Sequence, residues 1–257
     1  MKGSVNCRVD IIGVQDMPEV RHGDPLADII IRATNAQATP ITQRDVIVVT
    51  QKIVSKSEGR LYPLDDVAPS TFARSFAERS GKDPRLVELI LMESSRIVRS
   101  DADRGILIVE TEHGFVCANA GIDSSNVETG MVSLLPKDPD RSARRIRETL
   151  QQKSGVSEIA VVISDTFGRA WREGQINVAI GAAGMDPFID YRGSYDTNGS
   201  VLTSTRIAVA DELAAAAELV MGKSDRIPTA LVKGFSYTIG RGNCKSLVRD
   251  LSKDLFR

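Results

Sequence analysis

The chain is 257 residues long, 42% hydrophobic but only 5% aromatic, with Lys+Arg 33 against Asp+Glu 34 and a formal net charge of -1. That length holds one large domain or two small ones around an aliphatic core, and the balanced charge argues against nucleic-acid binding by bulk electrostatics. No apolar run approaches the roughly 18 residues of a membrane span, two histidines do not make a histidine-rich zinc site, and the scattered Cys7, Cys117 and Cys244 suit a reduced, cytoplasmic setting better than a disulfide framework.

Residues 8–12 alternate and predict a first strand, followed by a loop over 13–20. Asp24-Pro25 predicts a helix through Asn35, with aspartate as N-cap and proline at the first helical position. Val46-Ile47-Val48-Val49 is wholly apolar, the pattern of a strand covered on both faces. Residues 50–60 then carry basic and hydroxyl groups. Lys56 among them is either a compact charge for a phosphate or part of a solvated strand edge.

Residues 70–80 and 83–94 read as helices capped by Ser70 and Asp83, with Gly81 ending the first. Phe72, Phe76, Leu86, Leu89 and Ile90 suit core or subunit contacts. Residues 106–110 and 115–118 flank a short polar turn and predict a hairpin, with His113 an ordinary turn residue. Asp138-Pro139 opens a helix through Lys153, stopped by Gly155; its arginines form a basic, solvated face. An apolar strand over 159–163 follows, giving an α/β local unit whose pairing the sequence leaves open.

Residues 179–185 are small and read as flexible, with the wrong glycine spacing for a dinucleotide fingerprint. Asp196 to Gly199 is a turn. An alanine-rich helix runs from about Ser204 to Val220 and is expected at a domain or subunit contact. Gly222-Lys223-Ser224 invites a P-loop reading, but the pattern needs glycine where the chain has Ala217, and a strand rather than a helix before it. Residues 229–233 form the last clear strand, and 246–257 a charged amphipathic tail. The expected fold is α+β with mixed elements, two interleaved lobes over 1–245 and a tail over 246–257, neither P-loop nor Rossmann.

Two stretches carry chemistry that packing does not require. An apolar run over 115–118 leads into Asn119-Ala120-Gly121-Ile122-Asp123-Ser124-Ser125-Asn126, and the strand over 159–163 empties into Ser164-Asp165-Thr166-Phe167-Gly168-Arg169. Each sets an aspartate beside hydroxyls at the end of an apolar run. Either aspartate alone is read most simply as a turn or helix cap. As a pair, followed by Arg169, Arg172 and Glu173, they suit a magnesium–phosphate site, which needs hard oxygen donors and room for water.

These two stretches, together with Val54-Ser55-Lys56-Ser57-Glu58-Gly59-Arg60, resemble the hallmark segments of the coenzyme F(420)-0:gamma-glutamyl ligases over about residues 16–234. The resemblance implies a GTP-dependent acid–amino-acid ligase that joins L-glutamate to the deazaflavin precursor coenzyme F(420)-0 through an acyl phosphate. It also implies a homodimer working with Mg2+ or Mn2+ and K+. Asp123, Asp165 and Thr166 would hold the metal. Met17, Pro18, Glu19, Val20, Gln51, Lys52, Lys56 and Asn126 would hold GTP, together with Met221, Gly222, Lys223, Ser224, Asp225, Arg226, Ile227 and Pro228. Gln51-Lys52 replaces a Ser-Thr pair of some relatives, and Lys223 stands where relatives can carry an acidic metal ligand. Arg169 and Arg172 are candidates for the developing phosphate charge or the substrate carboxylates. A nucleotide- and metal-binding module serving a partner, and a metal-dependent phosphohydrolase, are the alternatives.

Overall fold

A computed structural model describes residues 8–255; Cys7 and the last two residues of the tail lie outside the described part. Strands β1 (Asp10–Gly13) and β2 (Val46–Thr50) flank helix α1 (Leu26–Ala36), and β2 runs directly into α2 (Gln51–Ser57). A block of smaller elements follows: β3 (Leu61–Pro63), α3 (Thr71–Ser80), α4 (Pro84–Met92), β4 (Ser94–Asp101), β5 (Ile106–Thr111), β6 (Val116–Ala118) and β7 (Met131–Ser133). The chain then returns through α5 (Pro139–Ser154), β8 (Ala160–Arg169), β9 (Arg172–Ala183), the short β10 (Ile189–Asp190) and β11 (Arg206–Ile207), α6 (Val209–Met221) and β12 (Thr229–Lys233).

The main sheet has the order β1-β12-β2-β8-β9. Only β2 and β8 are parallel, from Val46 opposite Ala160 to Thr50 opposite Ser164; the other pairs are antiparallel. Because side chains alternate across a strand, the apolar run of β2 serves two cores. Ile47 and Val49 join Val161, Ile163, Leu231 and the inner faces of α1 and α5. Val46 and Val48 join Ala160, Val162, Ala230 and the α6 residues Ala210, Leu213, Ala214 and Ala217. Two smaller cores, one around Phe76, Ile90, Leu107 and Val109 and one around Leu89, Val132 and Leu134, stand in the block inserted between β2 and α5. The mixed α+β expectation holds.

Several local expectations need correction. Asp24 does not cap α1: its carboxylate accepts from the Arg21 N–H at 2.7 Å and closes the preceding turn. Residues 51–57 are helical, not a solvated strand edge. Ile53 and Val54 disfavour a helix weakly, but burying both against the sheet outweighs propensity. Residues 94–101 form a strand that the sequence reading missed, and β8 does not stop at Ile163 but runs on to Arg169. The alanine-rich helix starts at Val209, and its stripe Ala210, Ala214 and Ala217 packs on this chain's own sheet.

Residues 179–185 are not flexible either. They are buried, and 179–183 form the end of β9. The small side chains permit close approach. A Cβ added at Gly181 would fall well inside van der Waals contact of the Pro139 carbonyl, where α5 begins. Asp140 fixes that approach by accepting from the Ala182 and Cys244 N–H groups at 2.9 Å each. Gly181→Ala is therefore expected to destabilise the protein by about 1–3 kcal/mol, the usual cost of overpacking, read as a lower urea midpoint. An unchanged midpoint would mean that α5 gives way freely at this point.

Candidate functional site

The site lies at one end of the parallel pair. Strand β2 ends at Thr50, opposite Ser164, so Asp165 is the first residue of β8 beyond its parallel neighbour and pairs only with Val178 of β9. Carboxyl ends of parallel strands are where open α/β sheets place ligands, because the chain must turn away there. Loop 222–228 closes on the same edge: the Thr50 N–H donates to the Pro228 carbonyl at 2.9 Å. Gly222 sits at φ 58, ψ -167, a conformation that only glycine adopts readily, and an added Cβ would meet Asp225 Oδ2 at 2.6 Å.

Asp123 arrives from the inserted block. Asn119 and Ala120 are both left-handed, at φ 53 and φ 56, before Gly121 at φ 69. Such conformations are costly for residues with side chains and persist where the surroundings enforce them. Here Lys82 donates to Asn119 Oδ1 at 3.0 Å, and Asp123 exchanges two backbone hydrogen bonds with Ser133 at 3.0 and 2.8 Å. The Asp123 carboxylate then accepts from the Ser125 N–H at 2.7 Å and the Ser125 hydroxyl at 3.0 Å, and lies 2.7 Å from Lys52 Nζ. Burial raises its pKa, but the bonds from Lys52 and Ser125 outweigh that and hold the carboxyl below its ordinary value.

Asp165 behaves oppositely. Burial pushes its pKa up to about 7, and the neighbouring Asp123 charge adds to the rise. The Thr166 N–H, Lys223 and Lys52 oppose it. Asp123, 42 positions away in the chain, is thus near enough for its charge to act on Asp165. Thr166 extends the set: its hydroxyl donates to Asn177 Oδ1 at 2.6 Å and accepts from Lys223 Nζ.

The remaining expected residues lie on several separate elements. Met17, Pro18, Glu19 and Val20 form the loop after β1, where Val20 is buried and Met17 packs on the core. Glu19 accepts from the buried Lys56, so these two separate segments meet. Lys52 reaches Asp123, whereas Gln51 is buried and accepts from Ser55 within α2 at 3.0 Å. Asn126 is exposed and left-handed, at φ 54, three residues past Asp123. Met221 is buried at the end of α6, while Gly222, Lys223, Ser224, Asp225 and Arg226 are exposed and Ile227 and Pro228 half-buried. Arg169 and Arg172 sit opposite one another at the exposed tip of the β8–β9 hairpin, and Arg169 donates to the Glu173 carbonyl. Four residues of strand put Arg169 roughly 13 Å along the chain from Asp165.

Asn177, Glu218 and Lys82 escaped the sequence reading. A lone amide in the apolar run Ile176-Asn177-Val178-Ala179 was a signal, since a buried amide needs a partner. Nothing in the sequence marked Glu218, which comes within 3.3 Å of Lys223.

Two carboxylates and a hydroxyl are hard oxygen donors, and an enclosed carboxyl with a raised pKa gains from a cation. The set suits Mg2+ or Mn2+, which keep waters and take ligand phosphates. It does not suit a closed all-protein cage: no group of three or more His, Cys, Asp and Glu suited to a metal occurs among the described residues. The described residues also contain no helix long and apolar enough to cross a membrane.

The sequence profile of the F420-0:Gamma-glutamyl ligase family matches residues 15–234. The chain is 49% identical over 252 residues to the Coenzyme F420:L-glutamate ligase of Methanothermobacter thermautotrophicus, covering 97% of this chain and 99% of that one. It is 44% identical over 244 residues to the protein of the same name from Methanopyrus kandleri, covering 93% and 94%. The corresponding protein of Methanocaldococcus jannaschii is 38% identical over 253 residues, covering 97% of each chain.

The site assignment makes a direct prediction. Asp123→Asn and Asp165→Asn are each expected to weaken Mn2+ binding at least about tenfold, since the loss of groups merely supporting a metal ligand already costs that much. The unfolding temperature should not drop with Asp165→Asn, because a neutral amide replaces a carboxyl whose charge burial disfavours. Mn2+ titration and a thermal melt of each variant check this. Unchanged Mn2+ affinity would reduce that aspartate to a turn residue.

Proposed function

The chain belongs to the F420-0:Gamma-glutamyl ligase family, and on that premise we propose that it is a GTP-dependent amide ligase. It joins L-glutamate to the carboxylate end of coenzyme F(420)-0 with Mg2+ or Mn2+, with K+ as an accessory ion, and works as a homodimer in the cytoplasm. The observation that supports this most is the convergence of Asp123 and Asp165, from separate blocks of the chain, at the edge closed by loop 222–228.

An amide does not form from a free carboxylate in water without activation. The precursor's carboxylate oxygen attacks the terminal phosphorus of GTP, and the bond to GDP breaks. The glutamate amine then attacks the acyl carbon, phosphate leaves with the bonding pair, and the amine gives up a proton. Phosphoryl transfer of this kind rests on positioning and charge neutralisation. When bound, the divalent cation supplies a Lewis acid that draws charge from the phosphate oxygens.

The chain's own residues do the rest. Asp123, Asp165 and Thr166 present the oxygens that hold the cation. Asn177 fixes the Thr166 hydroxyl from the neighbouring strand. Lys56, held by Glu19 under the loop after β1, stands as a compact cation for the nucleotide. Asn126 and loop 222–228 supply further polar groups for the nucleotide. Arg169 and Arg172, on the exposed hairpin, suit an anionic substrate approaching from outside better than the transferred phosphoryl group.

The test is to incubate the protein with GTP, Mg2+, glutamate and the precursor and to weigh the products. The expected result is a precursor mass increased by one or more glutamyl units. Phosphate release should require both acceptors. Rapid GTP hydrolysis without them would favour a phosphohydrolase, and GTP binding without turnover under any condition would favour a binding module. Lys56→Ala is expected to weaken GTP binding by about tenfold, the scale of one charge-assisted contact, while leaving Mn2+ affinity unchanged in a calorimetric titration.

A further inference from the structure

Each candidate cation ligand outside Asp165 already faces an ammonium. Lys52 Nζ lies 2.7 Å from Asp123 Oδ2 and also donates to the Ser125 carbonyl and hydroxyl at 2.9 and 2.7 Å. Lys223 Nζ donates to the Thr166 hydroxyl. Thr166 follows Asp165 directly in β8, so both ammoniums stand against the candidate cation ligands. The two lysines come from different elements, the first turn of α2 and the loop after α6, yet they converge on one set of oxygens.

A divalent cation cannot simply be added to this arrangement. Mg2+ binds a carboxylate oxygen at about 2.1 Å. An ammonium at 2.7 Å from the same oxygen would then lie within about 5 Å of the ion, where like charges repel strongly. A protonated lysine has no lone pair to offer in return. Lys223 has somewhere else to go: its side chain is 61% exposed and Glu218 stands 3.3 Å away. It is also carried on a loop that turns through left-handed Gly222 and Arg226.

We propose that Lys52 and Lys223 are exchangeable internal counter-ions: they occupy the cation positions of the resting site and surrender Asp123 and Thr166 to the divalent ion when it binds. The proposal rests on the metal assignment made above. It has a consequence for binding order. Lysines displaced from carboxylate and hydroxyl remain tethered at the same edge, where a triphosphate can accept from them. Cation and nucleotide then strengthen one another's binding, and by linkage the effect is reciprocal. The metal-free protein meanwhile keeps Asp123 paired with Lys52 and Thr166 bonded to Lys223.

The experiment labels lysines. The full-length protein is stripped of divalent ions and treated with an amine-acetylating reagent, with and without saturating Mn2+, and modification at each lysine is followed by mass spectrometry. Mn2+ alone should raise the labelling rates of Lys52 and Lys223 about threefold, the equivalent of releasing a modest ion pair. The rate at Lys56, whose partner is Glu19, should stay constant. Adding GTP with Mn2+ should lower the Lys52 and Lys223 rates again. Lys52→Met should bind Mn2+ several-fold more tightly without nucleotide and GTP more weakly.

Labelling at Lys52 and Lys223 that ignores Mn2+, in protein whose Mn2+ binding is lost in Asp165→Asn, would overturn the exchange and leave the ligase reading standing. Absence of any Mn2+ binding that depends on Asp165 would overturn the metal assignment and the exchange with it.

Discussion

Strands β2 and β8 must be buried on both faces, and the other elements are placed by that need. Parallel strands leave no solvated face, so each needs a layer above and below. Helices α1 and α5 supply one layer and α6 the other. Between the end of β2 and the start of β8 the chain spends more than a hundred residues, which include the inserted block with its own small cores. That detour is what brings Asp123 back to the strand ends. Where β2 stops, β8 continues with one partner instead of two, and Asp165 stands at the step.

The electrostatics of the step follow from its enclosure. Asp123 is bonded to Lys52 and Ser125 and stays ionised readily, whereas Asp165 has one backbone bond and two more distant ammoniums against burial and a like charge. Two adjacent carboxylates whose environments push them in opposite directions are a common sign of a working site rather than of a structural ion pair. Lys52 on Asp123 offsets the cost of half-burying that charge. Alanine and glycine contribute in another way: the small residues of β9 and α6 let helices approach the sheet closely.

Neighbouring residues met different fates in sequence reading. The caps Ser70, Asp83 and Asp138 were legible because a short polar side chain before a helix has one favourable use, and each accepts from the expected N–H group. Asp24 has the same local signal, yet it closes a turn with Arg21, since the path of the chain after β1 decided the matter. Residues 50–60, with their basic and hydroxyl groups, left Lys56 open between a phosphate contact and a solvated strand edge, but 51–57 turn into a helix that buries Ile53, Val54 and Lys56. The glycine-rich end of β9 looked flexible because small residues signal both looseness and close packing, and only the neighbouring α5 distinguishes the two.

By itself the sequence determined the two aspartate-bearing segments, the apolar strands that carry or precede them, and a resemblance specific enough to suggest a family; these depend on residue identity and short-range spacing. Tertiary structure decided which of these residues meet. That Lys56 lies with Glu19, that Lys52 sits on Asp123, that Lys223 reaches Thr166, and that Arg169 and Arg172 stand apart on a hairpin tip are all long-range facts. The physical reason is that burial and backbone pairing set the fold with energies far larger than any one polar contact. The charged side chains therefore take the partners that the packed sheet brings within reach.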